Sequence, residues 1–225
     1  MAIEARLFFH KVESSKKRAA PLWQAMPEWA LCTVDNDDRT PRSNAEVFPQ
    51  IERLVKLGVQ VVPIFSNTVL EVSTRFGEAG EWAEKIEKTT GRKAIASIPE
   101  AEPLGPSKQL DCLVIAPCTG SSLSRLANAA TDSPVLMAAK STMRNDRPVI
   151  LAISTNDGLG LNLYNIAKLI NMKNIFFVPF GQDAPHVKMN SLVALMDLIP
   201  ETCEAALEKR QLQPVLLERW RNERP

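Results

Sequence analysis

The segment DCLVIAPCTGSSLSRLANAATD, residues 111–132, reads as a buried strand, a loop of small residues and a helix. Leu113, Val114, Ile115 and Ala116 form a continuous apolar run, the pattern of a parallel strand covered on both faces. Pro117, which has no amide hydrogen for the next ladder position, is expected to end it. Leu123, Leu126, Ala127 and Ala130 then recur at i, i+3, i+4 and i+7, one apolar face of a helix. Between strand and helix, Thr119, Gly120, Ser121 and Ser122 carry no charge. They set hydroxyls and free backbone N–H groups at a helix N-terminus, where the dipole favours an anion. Spacing alone fits an ordinary N-capped turn at least as well as a ligand pocket. Cys118, in the same loop, is placed to touch a ligand, though a small buried thiol is its more ordinary role.

The same unit recurs on either side. Upstream, Ser43 or Asn44 can cap a helix, with Glu46 completing a capping box from Ser43. Val47, Ile51, Leu54 and Val55 supply its apolar face, and Gly58 ends it. Val59–Phe65 is a strand, with Pro63 an argument against a central position. A second hydroxyl-bearing turn, Ser66, Asn67 and Thr68, leads into a helix over 68–76. Glu81–Thr90 is an amphipathic helix closed by Gly91, Ala94–Ile98 a short strand, and PEAEPLGPSKQ (99–109) a rigid surface loop. Downstream, Ser133-Pro134 starts a helix that Arg144-Asn145-Asp146 ends. Val149–Ile153 is another buried strand, followed by the polar turn Ser154–Gly158 and a helix faced by Leu159, Leu163, Ile166, Ala167 and Ile170. Ile175–Pro179 is a strand and 180–191 a loop containing Gly181, Gln182 and Asp183. The last helix is expected from Leu192 through Leu195, Met196 and Ile199, bent or restarted at Pro200.

Four successive strand–turn–helix units predict an α/β fold, a doubly wound, Rossmann-like parallel sheet in three α/β/α layers. Ligands of such sheets sit at the carboxyl ends of the strands near the switch point. The three polar turns there are rich in hydroxyls and amides and poor in lysine and arginine, which suits a neutral ring system and one phosphate. Neither GxxxxGK[ST] nor GxGxxG occurs. Residues 44–217 form the regular domain, 1–43 an irregular and poorly ordered segment, and 218–225 a charged tail. With 27 basic and 26 acidic side chains there is no electrostatic footprint for nucleic acid. No apolar stretch approaches the ~20 residues of a membrane span, and the N-terminus has no signal-peptide core. The four cysteines form no CxxC pair, so no structural zinc is expected and reduced thiols are the default.

PCTGSSLSRLANAATD (117–132) resembles the flavin-binding loop and helix of the homo-oligomeric flavin-containing cysteine decarboxylase-like flavoproteins. Their pattern is P-A-S-A-N-T-x-x-K-x-A-N-G-x-A-D, and Pro117, Arg125, Ala127, Asn128 and Asp132 fall in register. The segments TRFGEAGEW (74–82), AEPLGP (101–106), LANAATDSPVLMAAKSTMRNDRPV (126–149), ISTNDGLGLN (153–162), FVPFGQD (177–183) and LQPVL (212–216) resemble one branch of that family. That branch works beside a dinucleotide-binding A subunit and oxidises dihydrodipicolinate, or its hydrated form, to dipicolinate. The resemblance implies FMN as cofactor, NAD(P) brought by the partner subunit, a homo-oligomer, and the cytoplasm of the mother cell of a sporulating bacterium.

On this basis Ser66, Thr68, Pro117, Thr119, Gly120, Ser121 and Ser122 are candidate flavin contacts, with helix capping the competing role for Ser66 and Thr68. Asn156 retains the asparagine of the family's substrate clamp and is a candidate donor to a substrate carboxylate; capping the next helix is its alternative. Gly181 and Gln182, with Asp183, are candidates for a flap over the same cleft, or a plain surface turn. Arg144 and Arg147 are candidates to meet a dicarboxylate, or solvated helix-end charges.

Two departures stand out. The decarboxylases carry a catalytic histidine before the Asp111-type strand, whereas the histidines here are His10 and His186, which disfavours decarboxylation. The family also opens with a strand and a Gly- and Ser/Thr-rich phosphate loop that nothing before Asn44 matches. ALCTV (30–34) can stand in as the strand, but Asp35, Asp37 and Asp38 follow it without a glycine, and like charges oppose an anion there. The break in pattern predicts that residues 1–43 are not the family's own N-terminal segment, as an altered reading frame or start would produce. A flavin-free partner that stabilises or activates the A subunit is the second reading.

Overall fold

In the computed structural model residues 29–33, 41–66, 81–106 and 110–218 are described, with backbone alone at 29–33, 41–44 and 81. Thr68 and the helix expected over 68–76 lie outside them.

The strands β1 (Trp29–Thr33), β2 (Val61–Phe65), β3 (Cys112–Cys118), β4 (Val149–Thr155) and β5 (Ile175–Phe177) are parallel and lie in the order β2-β1-β3-β4-β5. β1, from the irregular N-terminal stretch, sits between β2 and β3, with Leu31 opposite both Pro63 and Val114. Every residue of β3 and β4 is buried, as a sheet covered on both faces requires. Pro117 does not end β3 but lies within it. The register against β4 shifts between Ile115 and Cys118, so the proline occupies a break in the ladder where no N–H is needed.

Helices cover both faces. On one, α1 (Pro41–Lys56) packs against α2 (Glu81–Thr90), with Phe48 and Trp82 edge to face at 6.1 Å. α1 begins at Pro41, so Ser43 and Asn44 lie inside the helix, past its cap position; proline is well placed at a first helical position. Gly58 and Gly91, just past the ends of α1 and α2, hold φ of 86° and 66°. The expected strand Ala94–Ile98 reduces to one bridge, Ile95 to Ile64. The chain instead turns into a short helix, α3 (Ile98–Ala101), followed by a 3-10 turn, Glu102–Leu104. Ser97 caps α3 and Glu100 bonds back to the N–H groups of Ala96 and Ser97 at 2.9 and 3.1 Å. Those bonds hold the Glu100 carboxyl below its ordinary range. Ala101 and Leu104 are buried, so this is a packed corner and not a surface loop.

The other face carries α3 together with α4 (Gly120–Ala127), α5 (Pro134–Arg144) and α6 (Asn162–Ile170). Ser133 caps α5 and Pro134 occupies its first turn, as the sequence predicts. α6 starts three residues after Leu159 and buries Ile166 and Leu169, while Leu159, Leu163, Ala167 and Ile170 remain exposed.

Beyond β5 the sheet stops being parallel. β6 (Phe180–Gly181) and β7 (Leu192–Ala194) are antiparallel, β7 pairing with the end of β4 through Ser154–Val193 and Thr155–Leu192. The helix expected from Leu192 is therefore a strand at its start. Its continuous apolar run suits a short buried strand equally well, and the helix α7 (Ile199–Leu207) begins only where Pro200 fits the first turn without kinking it. Arg53 of α1 reaches Glu201 at 2.5 Å and joins α7 to the first helical face.

The outer edges of the sheet are covered. Pro63 and Phe65 of β2 exchange backbone bonds with Ile95 at 2.9 Å. The Gln211 amide accepts from Phe177 N–H at 2.8 Å and donates to Phe177 C=O at 2.7 Å. Phe180 of β6 bonds to Val215 and Leu217 at 3.0 and 2.8 Å. No helix among the described residues is long and apolar enough to cross a membrane.

Candidate functional site

The carboxyl ends of β3 and β4 bring two loops together. At the end of β3, Thr119 is the N-cap of α4, its hydroxyl accepting the Ser122 N–H at 3.5 Å. Ser121 is exposed, while Thr119 and Ser122 are buried. At the end of β4, the Thr155 hydroxyl accepts the Asp157 N–H at 3.2 Å. Asn162, the first residue of α6, donates to the Asp157 carboxylate at 3.4 Å and accepts from Asn165 at 3.0 Å.

Gly120 is where the loops touch. A Cβ there would lie 2.6 Å from Thr155 Oγ1 and 2.7 Å from Asn162 Nδ2, so a larger residue would displace those two side chains. The β4 turn is packed as closely on its other sides. A Cβ on Gly160 would stand 1.8 Å from Asp157 Oδ1, and one on Gly158 2.6 Å from the Leu192 side chain of β7. The Leu159 N–H donates to Asn190 C=O at 2.9 Å, tying this turn to the loop before β7.

Of the residues proposed from sequence, Thr119, Gly120, Ser121, Ser122 and Asn156 gather at this junction, with Asn156 exposed at its rim. Pro117 is buried in β3 beneath it. Ser66 is buried at the end of β2; β1 intervenes, so it stands two strand spacings, roughly 10 Å, from the β3 line. Gly181 pairs with Val193, which pairs in turn with Ser154, so it lies two strands from β4 on the side away from β3. The Gln182 side-chain amide donates to Met189 C=O at 2.8 Å, which closes the 182–190 loop on itself. Asp183 pairs with Lys188 at 3.9 Å. The loop with Asp35, Asp37 and Asp38 lies outside the described residues.

Arg144 and Arg147 are at the wrong end of the sheet for a dicarboxylate at this junction. Arg147 pairs with Asp111 at 3.5 Å, just before β3 begins, and Arg144 closes α5 ahead of β4. A seven-residue strand separates that end from the junction by about 20 Å. Sequence reading missed Asn162; its signal was an Asp–Asn pair spaced across the glycines of NDGLGLN (156–162).

The donor set fits a flavin ring. It offers backbone N–H groups at the start of α4 and neutral hydroxyls and amides, with Asp157 the one ionisable side chain among the residues named at the junction. Among the described residues no cluster of His, Cys, Asp and Glu could hold a metal ion.

Residues 43–204 match the family model described as Flavoprotein. The chain is 62% identical over 174 residues to the B subunit of dipicolinate synthase from Bacillus subtilis (strain 168), covering 77% of this chain and 87% of that protein. The crystal structure of the dipicolinate synthase B subunit from Bacillus halodurans C superposes with a TM-score of 0.77 at 53% identity, over 85% of this chain and 96% of the other. Burkholderia xenovorans DmrB in complex with FMN, a cubic protein cage for redox transfer, shares the fold with a TM-score of 0.53 at 14% identity, over 67% and 87% of the two chains.

Proposed function

This chain belongs to the Flavoprotein family, and on that premise we propose that it is the flavin-binding subunit of a dipicolinate synthase. Beside a dinucleotide-binding A subunit that carries NAD(P), it oxidises dihydrodipicolinate, or its hydrated form, to dipicolinate in the mother-cell cytoplasm of a sporulating bacterium. The observation that carries this reading is the 62% identity to the Bacillus subtilis protein over most of both chains.

Ser66, Thr68, Pro117 and Thr119–Ser122 would hold the FMN. If bound, FMN would supply a two-electron carrier between the dihydro ring, which gives up two electrons and two protons as it becomes aromatic, and the oxidised NAD(P) of the A subunit, which would be the final acceptor. Asn156, exposed at the junction, donates an amide N–H to a substrate carboxylate. Gln182 acts through the closed loop it holds by donating one amide N–H to Met189 C=O. Leu161 and Tyr164, 86% and 76% exposed at the start of α6, support assembly of several copies.

Titrating the purified chain with FMN, then assaying it with its A subunit for dipicolinate with and without FMN and NAD(P), tests the proposal. A flavin absorbance change and FMN-dependent turnover are expected. Full activity of the A subunit with this chain but without flavin, and no spectral change on titration, would establish the second reading, a flavin-free activating partner. The acidic residues Asp35, Asp37 and Asp38 after β1 favour that reading.

A further inference from the structure

Asn162 touches both halves of the junction. Its Nδ2 donates to Asp157 across the β4 turn, its Oδ1 accepts from Asn165 one turn along α6, and the same Nδ2 lies 2.7 Å from where a Cβ on Gly120 of α4 would be. Thr155 completes the arrangement by holding the Asp157 N–H and pressing on the same glycine. A short side chain bonded through both its amide nitrogen and its amide oxygen has its rotamer set from two sides. The α4 loop therefore rests on a surface whose position Asn162 sets.

We propose that Asn162 is the positioning residue of the site: through Asp157 it fixes the β4 turn, and through Gly120 it sets the first turn of α4 at the spacing ligand binding needs. The consequence for binding rests on the flavin reading above; the coupling between the loops does not. Loss of the Asn162–Asp157 bond frees the Asp157 carboxylate to leave Gly160, and the α4 loop loses its support. FMN affinity then falls about tenfold, the effect of losing one charge-assisted hydrogen bond.

The test uses the full chain as wild type, Asn162→Asp, and the exchanged pair Asp157→Asn/Asn162→Asp. Asn162→Asp keeps the shape and suits the first turn of a helix, so the fold stays intact, but it sets two carboxylates together in place of a donor and an acceptor. The exchange restores donor and acceptor with their places reversed. Amide hydrogen exchange over 119–123 and 155–158, and FMN titration, are the readouts.

Asn162→Asp should speed exchange in both segments and weaken FMN binding about tenfold, with the exchanged pair recovering both. A merely local role for Asn162 would leave residues 119–123 unchanged in Asn162→Asp, and that result overturns the inference whatever FMN does. Wild type that ignores FMN while Asn162→Asp still loosens both segments would remove the flavin reading and leave the positioning role standing.

Discussion

The Asn174 side chain donates to the Asp146 carboxylate at 2.7 Å, and both residues hold left-handed backbone, at φ 68° and 57°. Lys209, the third residue of this kind there at φ 58°, donates to Asn174 Oδ1 at 2.8 Å and to the Asp146 carbonyl. Asp146, Asn174 and Lys209 follow the ends of α5, α6 and α7 in that order. Three helix exits are thus joined at the end of the sheet opposite the candidate site.

Asp146 makes this knot sensitive to acid. The Asn174 bond, then Lys173 at 2.9 Å, pull its pKa from 3.8 to about 2. A depressed carboxyl pKa stabilises the fold fully above the unfolded value and loses that contribution as pH falls through the folded one. Thermal unfolding of wild type and Asp146→Asn should therefore differ steadily from neutral pH to about 4 and converge near pH 2. A difference that stays constant down to pH 2 would contradict the pairing.

Gly120→Ala inserts a methyl into a contact of 2.6 Å with Thr155 Oγ1. Urea unfolding should show a loss of about 1–3 kcal/mol from overpacking. Unchanged stability would mean that the two loops do not touch at this glycine.

Gln211→Ala leaves both backbone groups of Phe177 without partners next to a fully buried side chain. The expected cost is about 1–3 kcal/mol in the same measurement. Gln211→Glu keeps the acceptor and loses the donor, and should fall between the two.

Ser121→Ala removes an exposed hydroxyl at the start of α4. Thermal stability should not move, whereas FMN affinity should drop by roughly fivefold to tenfold for one lost hydrogen bond. Equal affinity would place the ligand elsewhere.

The strand–loop–helix unit at 111–132 was legible because one signal sufficed for each part: a continuous apolar run for β3, a hydroxyl cap for α4, an apolar stripe behind it. The errors came where two signals compete. Leu192–Ile199 satisfies helical spacing and a short buried strand alike, and only pairing with β4 decides between them. Pro117 reads as a stop from its missing N–H, yet a break in register makes room for it inside β3. Ala101 and Leu104, set among prolines and acids, look like surface until the corner they fill is seen. Asn162 was half legible: its pairing with Asp157 has a local signal, its contact with the α4 loop has none. Its role depends on Gly120, 42 residues earlier, and no local pattern joins them.

The covering of the sheet edges bears on how this chain can meet others. An uncovered strand offers its N–H and C=O groups to any extended chain, which is the usual route to fibres and swapped strands. Ile95, Gln211 and the segment Val215–Leu217 already occupy those groups on β2, β5 and β6. Two of the three guards lie within seven residues near the C-terminus. Clipping the chain before Gln211 would remove two of these three covers and leave backbone groups of Phe177 and Phe180 open to an added strand.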